Sequence, residues 1–178
     1  AGLTCAHYLT LEGYKVTVFE SQEIPGGMLA LCIPDFRLPK EVLKYEIDRI
    51  KALGVEIKTN TAVGKDVSLD KLKEEYNDVF IAIGAYKGIK MKIPGENTDG
   101  VIDVIKFLMD VNLGRPVEIG DRVIVVGGGN SAIDAARVAR RFGKDTKILY
   151  SRTRAEMPAI KSEIEEALNE GIDIQFLT

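Results

Sequence analysis

A chain of 178 residues, 46% hydrophobic and 29% charged, is long enough to bury a core and to make one or two small domains. Its 24 Lys and Arg against 27 Asp and Glu leave a net charge of −3 with both signs interspersed, which argues against a nucleic-acid-binding surface and against a polybasic membrane patch. No apolar run approaches the ~20 residues of a membrane span, no signal peptide is visible, and Cys5 and Cys32 have neither metal-ligand nor Cys-x-x-Cys spacing. Two packed thiols in a reducing cytoplasm are the simpler reading.

The sequence opens in mid-pattern at Ala1-Gly2-Leu3 without a methionine and reads as a fragment of a longer polypeptide. Leu3, Ala6, His7, Leu9 and Thr10 fit a helix ended by Gly13, followed by a strand Val16-Thr17-Val18-Phe19 that terminates in Glu20. An acid at the tip of a second strand is where an adenosine ribose hydroxyl is held. Glu20 lies 18 residues after Gly2, which suits Gly2 as the last glycine of a Gly-x-Gly-x-x-Gly turn. His7, the only histidine, has no partner pattern and reads as structural.

Residues 21–38 form a long irregular segment containing Gly26-Gly27-Met28 and Arg37. Long structureless connections in compact domains tend to be functional. The glycine pair permits close approach to a ligand, and Arg37 is a candidate phosphate clamp; an ordinary surface loop is the alternative. Pro39 opens a helix with Val42, Leu43, Ile47, Ile50 and Leu53 on one face, stopped by Gly54. A strand Val55-Glu56-Ile57-Lys58 follows, then a capped helix from Ser68 to Tyr76 with Leu69, Leu72 and Tyr76 inward. Residues 79–85 read as a buried strand ending in a glycine turn, and residues 101–112 as a further helix.

The most informative stretch is Val123-Ile124-Val125-Val126-Gly127-Gly128-Gly129-Asn130-Ser131-Ala132. A β-branched run reading as a buried parallel strand ends in three glycines, and a helical face of Ala132, Ala135, Ala136, Ala139 and Phe142 follows. Strand, Gly-x-Gly-x-x-Ala turn and helix make the phosphate-binding start of a dinucleotide βαβ unit. Gly127 allows the tight turn, and Gly129 lets a pyrophosphate approach the backbone. The free N–H groups near Asn130 and Ser131 then face the phosphates at the positive end of the helix dipole.

After the strand Lys147-Ile148-Leu149-Tyr150, the place where an NAD-preferring site puts its acid holds Tyr150 and Ser151, and Arg152 and Arg154 lie just beyond. Without that acid a 2′-phosphate is not repelled, and guanidinium groups can bind it, which favours NADP(H). Two solvated arginines in a loop are the alternative. Pro158 starts a helix with Ile160, Ile164, Ala167 and Leu168 on its apolar face, and residues 172–177 form a last strand. Two nucleotide units about 125 residues apart are the arrangement expected when two dinucleotides bind one chain.

With both units in place, the chain resembles the small (β) subunit family of NADPH-dependent glutamate synthase. It is similar also to the matching region of dihydropyrimidine dehydrogenase and to the large subunit of NADH-dependent ferredoxin:NADP oxidoreductase. The strings Val18-Phe19-Glu20, Gly26-Gly27-Met28-Leu29, Ile33-Pro34-Asp35-Phe36-Arg37-Leu38-Pro39, Ala82-Ile83-Gly84-Ala85 and Ile93-Pro94-Gly95-Glu96 carry the match. Gly127-Gly128-Gly129-Asn130-Ser131-Ala132 and Arg154-Ala155-Glu156-Met157-Pro158-Ala159 complete it.

The resemblance implies an α/β protein of two Rossmann-like, three-layer nucleotide-binding domains, an FAD domain interrupted by an NAD(P) domain, present here as a fragment. Residues 1–115 would be part of the FAD domain and residues 116–178 part of the NAD(P)H domain. NADPH would pass a hydride to FAD, and electrons would continue through 4Fe-4S clusters held in missing segments or partners, an iron–sulfur domain or a large catalytic subunit. Ala1, Gly2, Glu20, Gly26, Gly27, Met28 and Arg37 match FAD-contacting positions, and Gly128, Gly129, Asn130, Ser131, Arg152 and Arg154 match NADPH positions. Ser151 stands where the family often has another arginine, and Cys32 where it usually has a small residue. Thioredoxin reductase shares the two-nucleotide plan but needs a redox Cys-x-x-Cys. No residue pattern demands acid–base catalysis, so no catalytic side chain is assigned; the hard chemistry belongs to the cofactors. The alternative from another class is a truncated, non-catalytic nucleotide-binding or docking module.

Overall fold

In the computed structural model, which describes residues 1–178, the chain begins with helix α1 (Gly2–Leu11) and strand β1 (Thr17–Phe19). A four-residue helix α2 (Met28–Leu31) interrupts the irregular segment, and helix α3 (Lys40–Ala52) leads to strand β2 (Glu56–Lys58). Strands β1 and β2 are parallel, with Thr17 opposite Glu56 and Phe19 opposite Lys58. Two parallel neighbours need a crossover, and α3 lies in it, with Ile47 buried and most of its other apolar residues partly exposed. Helix α4 (Leu69–Glu75) begins where Ser68 Oγ accepts the Lys71 N–H at 3.1 Å. These elements belong to one compact unit, Ala1–Ala30 with Leu38–Ala85.

The second unit comprises Leu31–Arg37 and Tyr86–Thr178. Helix α5 (Val104–Asn112) is capped by Asp103, whose Oδ1 accepts the N–H groups of Ile105 and Lys106. Strands β3 (Arg122–Val126), β4 (Asp145–Tyr150) and β5 (Asp173–Phe176) form a parallel sheet in the order β3-β4-β5, linked by helices α6 (Asn130–Arg141) and α7 (Lys161–Asn169). The core lies on one face of this sheet. Ile133 and Ala136 of α6, Ile164 and Ala167 of α7, and Ile148 and Ile174 of the strands pack together there. Alanines at 132, 135, 136 and 139 are all buried, because a small side chain lets the helix lie close to the strands.

Four expectations need correction. Residues 79–85 form no strand, and Phe80, Ile81 and Ile83 are more than 60% exposed; the sheet of this unit consists of β1 and β2, and neither is laddered to the run. β3 is parallel but not buried, since Ile124 and Val126 project from the uncovered face of an edge strand. Phe142 leaves the core face as the residue after α6 and is 49% exposed. Pro158 does not start α7; it lies between a single 3-10 turn (Arg154–Glu156) and the helix, which is entered from Ile160. The two compact units part between Ala85 and Tyr86, and α5 of the second packs on α6. No helix is long and apolar enough to cross a membrane.

Candidate functional site

The glycine stretch connects the C-terminal end of β3 to the first turn of α6. Gly127 has φ +137°, a backbone conformation that strains any side chain, and its N–H donates to the Leu149 carbonyl at 3.0 Å. Gly128 is buried. A methyl group on it would lie 2.5 Å from the Tyr150 ring, and its carbonyl accepts the Ala159 N–H at 3.1 Å. Gly129 differs: a methyl group there would meet nothing within 4 Å. The Gly129 carbonyl accepts the N–H groups of Ala132 and Ile133, which start the helical ladder. The earlier N–H groups, those of Asn130 and Ser131, precede any intrahelical acceptor and carry the positive end of the helix dipole. The Asn130 Oδ1 accepts the Ile160 N–H at 2.9 Å and ties α6 to the entry of α7.

Beside this turn lies the end of β4. Tyr150 covers Gly128 and donates its hydroxyl to the Glu156 carbonyl at 2.9 Å. Arg152 is exposed. Glu156, on which the Arg152 charge acts, is held by Thr153, whose N–H and hydroxyl donate to Oε2 at 3.1 and 2.8 Å. Those two hydrogen bonds hold the Glu156 carboxyl below its ordinary value, with the Arg152 charge adding to them. Arg154 is half exposed and ion-paired with Glu165 of α7. The unit thus brings Gly127, Gly128, Gly129, Asn130 and Ser131 next to the segment carrying Arg152 and Arg154, as adjacent parallel strands β3 and β4 require.

In the first unit Gly2 begins α1, and a methyl group on it would lie 3.3 Å from the Ala82 Cβ, so its smallness serves close packing. Ala1 is exposed at the start of that helix, and its carbonyl accepts the Cys5 N–H. Glu20 continues β1, its N–H donating to the Lys58 carbonyl at 2.9 Å. Glu20 Oε1 accepts the Gln22 N–H at 2.9 Å and the Ser21 hydroxyl at 3.4 Å. Gly26 packs against Ala30, Leu43 and Ile47, Gly27 has φ +60°, and Met28 opens α2.

Arg37 is not grouped with these residues. It belongs to the second unit, where Nη1 donates to both oxygens of Asp134 at 2.8 and 2.9 Å and Nε lies 3.3 Å from Glu163. The expected phosphate clamp is therefore engaged by carboxylates. Its neighbour Phe36 has the guanidinium groups of Arg137 and Arg141 over its ring, 4.5 and 4.2 Å from the centroid. Buried Arg137 also binds Glu163 at 2.6 Å and Glu170 at 2.7 Å. Burial pushes the Asp134 carboxyl above its ordinary value against the pull of the Arg37 hydrogen bond. Cys32, buried in the same segment, lies with its Sγ 3.8 Å from the Ile105 carbonyl.

Sequence reasoning passed over Tyr150 as a cover for the turn, Glu156 as an anchor and Glu165 as a counter-ion. Thr153-x-x-Glu156 is a capping-box spacing, a signal that could have found the second. The others depend on a contact across strands and one between a loop and a distant helix, which no local pattern encodes.

Among known proteins, the chain matches the pyridine nucleotide-disulphide oxidoreductase family over residues 1–178. It is 49% identical over 181 residues to the NADP(+)-dependent formate dehydrogenase subunit beta of Moorella thermoacetica, covering 99% of this chain and 26% of that protein. It is 35% identical over 189 residues to the glutamate synthase [NADPH] small chain of Escherichia coli (strain K12), covering 99% of this chain and 40% of that one. Its fold superimposes on that of FprA from Mycobacterium tuberculosis in complex with NADPH with a TM-score of 0.77 at 19% identity, covering 94% of this chain and 44% of the other. The chain spans 26% of the first curated relative's length and 40% of the second's.

Proposed function

This chain belongs to the pyridine nucleotide-disulphide oxidoreductase family, and from that premise we propose that it is the two-nucleotide part of a flavin-dependent NADPH oxidoreductase. The first unit binds FAD and the second NADPH. The electrons leave for 4Fe-4S clusters in other segments or in a partner, an iron–sulfur domain or a large catalytic subunit. The subunit names of the relatives support such an assembly. Two free cysteines fit a cytoplasmic setting.

One observation carries the reading. The open space at Gly129 faces the start of α6, and an exposed Arg152 follows the neighbouring strand where an acid would otherwise repel a 2′-phosphate. Gly127 shapes the turn, and Gly129 with the N–H groups of Asn130 and Ser131 receives the pyrophosphate. Gly128 is small for Tyr150, not for the ligand. Arg152 and Arg154 hold the 2′-phosphate through charge-assisted hydrogen bonds. In the first unit, Gly2 brings α1 close to Ala82, and Glu20 offers Oε2 to the adenosine ribose while Oε1 is held by Gln22. Ala1, Gly26, Gly27 and Met28 complete the FAD-side backbone. Arg37, paired with Asp134, braces the second unit instead of gripping a phosphate. When bound, the nicotinamide supplies a hydride and the flavin accepts it. The chain's own part is to hold both nucleotides and to select the phosphorylated one.

The test is flavin bleaching. Full-length protein loaded with FAD loses its flavin absorbance on anaerobic addition of NADPH, and much more slowly with NADH. Arg152→Ala raises the NADPH dissociation constant by about tenfold, a change of about 1.4 kcal/mol, and leaves that for NADH nearly unchanged. No bleaching by either nucleotide refutes the redox assignment, and equal effects of Arg152→Ala on both refute the role of the arginine.

A further inference from the structure

Of the two arginines after β4, one is engaged by an acid of this chain. Arg154 pairs with Glu165 Oε1, and both side chains are more than half exposed (53% and 58%). The other acids of α7 face elsewhere: Glu163, Glu166 and Glu170 all pair with Arg137 on α6. Glu165 alone among the acids of α7 and its cap is directed to the segment after β4. Glu156, the acid beside Arg152, is held by the Thr153 N–H and hydroxyl.

Resting on the proposed NADPH site, we infer that Glu165 is a specificity-determining residue that acts through Arg154. Its carboxylate occupies the guanidinium while no phosphate is present, and a 2′-phosphate must displace it. The exchange is feasible because an exposed ion pair is weakly held. It proceeds toward the phosphate because a monoester with about two negative charges and three acceptor oxygens is the stronger partner. The carboxylate therefore subtracts from affinity for a 2′-phosphorylated nucleotide and leaves affinity for its unphosphorylated counterpart untouched. Ser151 fits this arrangement, since it leaves Arg152 as the one other arginine of the segment to hold the phosphate beside Arg154.

The experiment is calorimetric titration of the full-length, FAD-loaded protein with NADPH, NADH, 2′,5′-ADP and 5′-AMP. Glu165→Gln keeps the shape of the side chain and removes its charge. It is expected to tighten NADPH and 2′,5′-ADP by about two- to fivefold, the range of an exposed ion pair, with NADH and 5′-AMP unchanged. The gain disappears in the Arg154→Ala background and shrinks at high ionic strength. A gain that persists with Arg154→Ala overturns the inference, because Glu165 would then act by direct repulsion. Equal tightening of all four ligands, or none, overturns it too. A wild-type protein that binds 2′,5′-ADP no better than 5′-AMP overturns the NADPH reading itself and this inference with it, and that result is distinct from the others.

Discussion

Gly128 and Gly129 are adjacent glycines with opposite reasons for lacking a side chain, and substituting each by alanine separates them. At Gly128 the new methyl carbon would lie 2.5, 2.6 and 2.9 Å from three atoms of the Tyr150 ring. Such distances require movement, and the ring is not free to give way because its hydroxyl is bonded to the Glu156 carbonyl at 2.9 Å. Overpacking of this kind costs about 1–3 kcal/mol. At Gly129 the methyl meets nothing within 4 Å and the backbone has φ −87°, which alanine adopts freely. Gly129→Ala therefore changes stability by less than about 0.5 kcal/mol. The cost falls on the ligand, because the methyl occupies the space through which a pyrophosphate reaches the backbone. The assay pairs thermal unfolding of the full-length protein without nucleotide with calorimetric titration of NADPH. Gly128→Ala should lower the unfolding midpoint, and Gly129→Ala should leave it in place while weakening NADPH by about tenfold or more. Tyr150→Ala combined with Gly128→Ala should be less than additive, since the first removes what the second collides with. A destabilised Gly129→Ala that binds NADPH normally would refute the reasoning outright.

Arg137→Met leaves Glu163 and Glu170 without their buried cation and removes one guanidinium from the Phe36 ring. The expected loss is about 3 kcal/mol, read as a lower denaturant midpoint; a loss under about 0.5 kcal/mol would show that the acids find water instead. Glu156, held by Thr153, has a folded value below its ordinary 4.5, so the stability it contributes is present above 4.5 and is lost as the pH falls through the lower folded value. Glu156→Gln should remove that part of the acid-side pH dependence, and an NMR titration placing the wild-type carboxyl at or above 4.5 would contradict the capping geometry.

Much of the fold was legible because its signals are local. The β-branched run before Gly127, the alanine face of α6, the Ser68 cap and the glycine after α1 each announce their element within a few residues, and parallel pairing follows from strands that alternate with helices. The failures share a cause of another kind. Residues 79–85 have a strand's composition, yet a strand exists only through a ladder with a neighbour, and β1 and β2 are laddered to each other and not to the run. β3 has a buried strand's composition, yet burial depends on what lies across the sheet.

The same division runs through the candidate site. That Gly127 to Ser131 would form a turn at a helix start is local information, and so is the missing acid after β4. Which glycine is kept small by protein and which stands open is decided by Tyr150 of the next strand. That Arg37 would turn to Asp134, 97 positions away, is decided by the packing of the 31–37 segment within the second unit. A bidentate guanidinium suits a carboxylate as well as a phosphate, so the residue type alone never chose between them. Sequence therefore supplies the chemical repertoire of such a site, and the assignment of each cation to its anion waits on tertiary structure. For Arg154 that assignment is an exposed and exchangeable pair, for Arg37 a mostly buried one shared between Asp134 and Glu163, and it is this difference that separates a residue free to greet a ligand from one that holds the scaffold beneath it.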